Sequence, residues 1–65
     1  MDSAKIAKTL RHLRGDLPLR SVADSVGVSV SALSMYENGE RVPRDEIKVK
    51  LARFYGKTIE EIFFS

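Results

Sequence analysis

The sequence has no cysteine, a single histidine, and no apolar run near the roughly 20 residues of a membrane-spanning helix. Without cysteine there is neither a disulfide staple nor a thiolate metal site, which fits a reducing compartment. The start, MDSAKIAKTL, lacks the apolar core of a signal peptide. His12 lies among basic residues on a predicted helix, which suits a surface or phosphate-proximal side chain better than a ligand or base. The many serines have no second histidine to activate them, and no glycine-rich phosphate loop is present. The expectation is a cytoplasmic protein, not an enzyme, with no metal, cofactor, membrane contact or small-molecule substrate.

What is present describes an ordinary globular chain. At 65 residues it is expected to form one domain over 1–65, because so short a chain hides only about 60% of its unfolded surface. Hydrophobic residues make up 43% and charged residues 31%, which separates it from disordered and membrane chains. The net charge of +2 is uninformative, but its distribution is not. Residues 1–20 carry five basic and two acidic side chains, residues 21–46 two and five, and residues 47–65 four and two. A polyanion would therefore be held from the flanks, by Lys5, Lys8, Arg11, Arg20, Arg41, Arg44, Lys48 and Lys50.

Breakers recur every ten to fifteen residues, each followed by a new apolar pattern, so five short helices are predicted. The first runs from a Ser3 or Asp2 cap to about Arg14, with Ile6, Leu10 and Leu13 on one face and Gly15 as its stop. The second starts near Pro18 and repeats Leu19, Val22 and Val26 before Gly27. Ser29 caps a third that ends at Glu37 or Asn38, where Asn38-Gly39 supplies left-handed residues. Ile47 to Leu51 alternates like a strand, but Asp45 and Glu46 before it, Lys50 and Arg53 late in it, and Gly56 after it favour a fourth helix. Thr58 and Glu61 form a capping box for the fifth, which is expected to bury Ile59, Ile62 and Phe63.

The constellation that carries function is the pair of short helices joined by Gly27-Val28-Ser29. Gly27 suits a left-handed exit from the second helix, Val28 plugs the angle, and Ala23 is small where the next helix passes. Leu33 and Tyr36 then face inward and leave Val30, Ser31, Ser34 and Met35 outward, on the face that enters a major groove in a helix-turn-helix. That face has no Lys, Arg, Gln or Asn before Asn38.

The stretches IAKTLRHLR, VADSVGVSVSALSMYENGERVPRDEIKVKLARFYG and KTIEEIFF resemble the lambda Cro and repressor type of helix-turn-helix protein, also called XRE-like. Ala23, Gly27, Val28, Ser29, Glu37, Gly39 and Pro43 meet that family's framework. The resemblance implies an all-α, compact five-helix domain with the helix-turn-helix at helices 2 and 3. It also implies dimeric binding of double-stranded DNA at a partly palindromic operator, as a repressor or Cro-like regulator. Family base-reading positions fall on Val30, Ser31 and Met35, and a further one, usually Gln, on Leu19. Arg14 and Glu37 match a family ion pair. The chain departs from the pattern at Leu19 and Val30, and is two residues shorter at Gly15-Asp16.

Val30 and Ala32 suit thymine methyl groups and Ser31 a base edge, so an A·T-rich operator is expected, read partly through groove shape. Phosphate or minor-groove contacts are expected from Arg20, Ser29, Ser34, Asn38, Arg41 and Arg44, around the backbone N–H groups that open helices 2 and 3. Phe63 and Phe64 leave two readings open: a homodimer contact through the last helix, or Phe63 completing the core with Phe64 frayed. An alternative function on the same scaffold is a protein-interaction module, such as an antitoxin or an antirepressor-binding subunit.

Overall fold

The computed structural model describes residues 2–64. Five helices follow one another: α1 (Ser3–Arg14), α2 (Leu19–Val26), α3 (Val30–Glu37), α4 (Asp45–Tyr55) and α5 (Ile59–Phe63). Among the described residues there is no strand, so the alternation at Ile47 to Leu51 belongs to α4. Its flanks decide this: Asp45 and Glu46 occupy the first turn, Arg53 the last, and Gly56 closes the helix.

Helices α1, α3 and α5 start with side-chain caps legible in the chain. Asp2, rather than Ser3, caps α1, its carboxylate accepting from the N–H groups of Ala4 and Lys5 at 3.0 and 3.3 Å. The predicted capping box opens α5, with Thr58 Oγ1 accepting from Glu61 N–H at 3.1 Å and Glu61 Oε1 from Thr58 N–H at 2.9 Å. The Thr58 N–H holds the Glu61 carboxyl below its ordinary range. The end of α3 differs from expectation. Asn38 is right-handed (φ −101°), and Gly39 alone takes the left-handed turn (φ 74°).

Helix α3 lies between α1 and α2, α2 also packs on α4, and α5 closes the bundle against α1 and α4. Leu10, Val22, Ala23, Leu33 and Leu51 have no exposed surface and form the centre of the core. Ile62 and Phe63 join it, while Ile59 stays half-buried at its edge. Phe63 thus completes the core. Phe64, the residue after α5, is exposed, and its N–H donates to the Glu60 carbonyl at 3.1 Å.

Lys48 corrects the list of phosphate-holding cations, because it is buried. Its stem packs in the core and its ammonium sits 3.5 Å from Asp45 Oδ1, with the Phe63 and Phe64 rings at 5.8 and 5.5 Å. It ties α4 to α5.

The Gly39 turn brings the end of α3 against the start of α1. A Cβ on Gly39 would sit 3.4 Å from the Ser3 carbonyl oxygen on a backbone that side chains rarely adopt. Gly39→Ala is expected to destabilise the fold by about 2 kcal/mol. Urea denaturation measures it, and an unchanged midpoint would show that the turn relaxes freely.

Candidate nucleic-acid interface

The angle between α2 and α3 is set by three residues. Gly27 is left-handed (φ 83°), and the N–H groups of Gly27 and Val28 both donate to the Ala23 carbonyl, at 2.8 and 3.0 Å. Val28 packs half-buried on the core, as a plug. Ser29 is extended and its hydroxyl oxygen accepts from Ala32 N–H at 3.0 Å, which starts α3.

The outer face of α3 is led by Ser31 and Met35, both exposed. Val30 and Ser34 are half-buried, so the outward face is narrower than expected. The reason is spacing: Val30 lies one turn before Leu33 and shares the edge of its inward stripe, packed against the core. Leu19, at the start of α2, is likewise half-buried on the core.

Beside that face a groove of about 550 Å³ runs between the α2–α3 turn and the start of α4. It brings together Ser29, Arg41 and Arg44 with Lys50 and Glu46. Lys50 reaches toward the turn, its Nζ 3.9 Å from where a Cβ on Gly27 would stand. Arg44 Nε lies 3.4 Å from Glu46 Oε1, but both side chains are mostly in water, so the pair adds little and leaves Arg44 free to turn. Glu46 as a member of this groove was not foreseen, because an acid in the first turn reads simply as a dipole partner. Arg20, Ser34 and Asn38 lie outside the groove. Arg20 and Asn38 are exposed, and Asn38 Nδ2 donates to Ser34 Oγ at 3.4 Å.

The first N–H groups of both helices are only partly capped. Pro18 precedes α2 and offers no side-chain cap, and Ser29 satisfies one donor of α3. The uncapped donors are the positive end of each helix dipole.

The helix-turn-helix family model matches residues 8–62. The chain belongs to this family. It is also 42% identical over 62 residues to the cryptic phage CTXphi transcriptional repressor RstR of Vibrio cholerae, an alignment covering 95% of this chain and 54% of that protein. The chain therefore spans about half the length of the curated relative it matches. Membership agrees with the lambda Cro and repressor resemblance and with the five-helix architecture.

Behind the helix-turn-helix, Glu37 is 3% exposed at the last position of α3. Arg14 Nε donates to its two carboxylate oxygens at 3.0 and 2.9 Å, and Arg14 Nη1 donates to the Leu17 carbonyl at 2.8 Å. The bond to Glu37 holds the Arg14 guanidinium above its already high range. Tyr55 stands nearby with its hydroxyl buried and, among the described residues, without a hydrogen-bond partner. Burial, and then the Glu37 charge, push its phenol up to about 12.

Tyr55→Phe removes an unpartnered hydroxyl and is expected to leave stability at neutral pH unchanged or raised by up to about 1 kcal/mol. The phenol titrates above its unfolded value of 10.0, so its neutral form contributes stability that is complete below pH 10 and is lost as pH rises through about 12. Thermal melts across that window should fall more steeply for wild type than for Tyr55→Phe. Parallel curves would show that the fold does not hold the phenol neutral.

Proposed function

We infer that this chain is a sequence-specific double-stranded-DNA-binding transcriptional repressor, acting as one cytoplasmic DNA-binding domain without catalysis. The observation that carries the reading is the juxtaposition of an exposed α3 face, Ser31 and Met35, with a groove holding Arg41, Arg44 and Lys50. The first can meet base edges and methyl groups, and the second can follow the phosphate backbone. Ser31 and Met35 read bases, with Val30 and Leu19 contributing from the margin. Arg20, Ser29, Ser34, Asn38, Arg41 and Arg44 hold phosphate or minor groove. The phage repressor 42% identical to this chain supports the regulatory role.

The domain binds as a homodimer to half-sites about 10 base pairs apart, centre to centre. Phe64, 59% exposed at the end of α5, is the apolar contact such a pairing would cover. Arg is absent from the outer face of α3, so bidentate guanine contacts are lacking there and an A·T-rich site is favoured.

Selection from a random duplex pool is expected to enrich an A·T-rich, partly palindromic sequence. On that duplex Arg44→Ala should weaken binding about tenfold and lower the log-log salt slope by about 0.9, with similar weakening on unrelated duplexes. Met35→Ala should instead change which bases are enriched. An unenriched pool, with tight binding to a protein from lysate, would favour the interaction-module alternative and contradict this reading.

A further inference from the structure

The C-terminal end of α3 needs cations and has none of its own. Its last turn carries no basic residue, although the final carbonyls of a helix are its negative pole and lack partners within the helix. The turn that follows satisfies part of this: Glu40 N–H donates to the Met35 carbonyl at 3.0 Å and Gly39 N–H to the Tyr36 carbonyl at 3.4 Å. The Glu37 carbonyl is met from another helix. Arg11 Nη1 donates to it, from one turn before Arg14 on α1.

Two arginines thus grip one residue in different ways. Arg14 takes the Glu37 side chain, a contact set by carboxylate geometry. Arg11 takes the main chain, so it bears on the path of the helix itself. Glu37 lies two residues after Met35, and an eight-residue helix is only about 12 Å long. A small shift at this end therefore moves Met35 by nearly the same distance.

We propose that Arg11 is a positioning residue for base reading: through the Glu37 carbonyl it fixes the tilt of α3, and hence the register of Met35, in the major groove. The role rests on the DNA-binding function inferred above. It differs from a phosphate contact, the part a basic residue on this flank would otherwise be given, because a phosphate contact acts alike on every sequence and contributes to the salt slope. A tilt constraint acts only where bases are read. Arg11 is itself exposed, and its loss leaves the Arg14–Glu37 pair in place.

The test compares Arg11→Met, which keeps the stem and removes every donor, with Arg11→Lys, which restores a cationic donor. Arg11→Gln, neutral and too short to reach the carbonyl, is the second variant should Arg11→Met fail to fold. Binding is measured by fluorescence anisotropy on the duplex enriched by wild type and on a scrambled duplex. Each titration is run at several salt concentrations and below the melting temperature of each variant. Arg11→Met is expected to weaken the enriched duplex about tenfold, the scale of one mismatched base pair, and the scrambled one less than about twofold. Its salt slope should stay unchanged, and Arg11→Lys should recover most of the loss. Equal weakening of both duplexes with a slope lower by about 0.9 would make Arg11 a phosphate contact and overturn the proposal. So would unchanged binding to both. A wild-type chain that enriches no duplex would instead remove the DNA-binding reading, and this role with it.

Discussion

A buried carboxylate at the end of a helix is a hazard unless something meets its charge, and in this chain the answer organises the fold. Glu37 is almost wholly out of water, at the junction of α3 and the turn that leads to α4. Its charge is met by Arg14, which keeps a fifth of its side chain in solvent. Desolvating a carboxylate costs several kcal/mol, so the pair is tolerable only with both oxygens engaged, as they are. The consequence is directional. Helix α3 cannot rotate or slide on the bundle without exposing or unpairing Glu37.

The same logic resolves the charge distribution. The middle of the chain has more acids than bases, which is unexpected in the part proposed to approach DNA. Of its five acids, the buried Glu37 is met by Arg14 and Asp45 by Lys48, while the Arg44–Glu46 contact is mostly in water and adds little. The groove beside α3 then holds three cations, Arg41, Arg44 and Lys50, against one acid, Glu46, whatever the regional charge sum. Long-range repulsion is weak at physiological salt, where charges beyond about 8 Å are screened. Local pairing, not the regional sum, decides the field at that surface.

Punctuation made most of the fold readable. Gly27, Ser29, Thr58 and Glu61 act through bonds to residues a few positions away, so their roles follow from local spacing. The ambiguous Ile47 to Leu51 segment was settled by its flanks for the same reason. Burial was less legible. Lys48 reads as a surface cation in any pattern of polar residues, because nothing in its neighbours reveals that Phe63 of α5 and Phe64 just after it will flank it. Val30 was placed on the outer face by helical angle, yet an angle does not show how far a neighbouring helix reaches. The grip of Arg11 on a main-chain carbonyl has no sequence signature at all, since every residue has a carbonyl.

Arg14 and Glu37 act as one unit joining α1 to α3. A double-mutant cycle with Arg14→Met, Glu37→Gln and the double variant, followed by urea unfolding, isolates that coupling. Contacting residues in one ion-pair network couple by up to about 3 kcal/mol, and a coupling of at least about 1.5 kcal/mol is expected here. Additive effects, with coupling below about 0.3 kcal/mol, would contradict it.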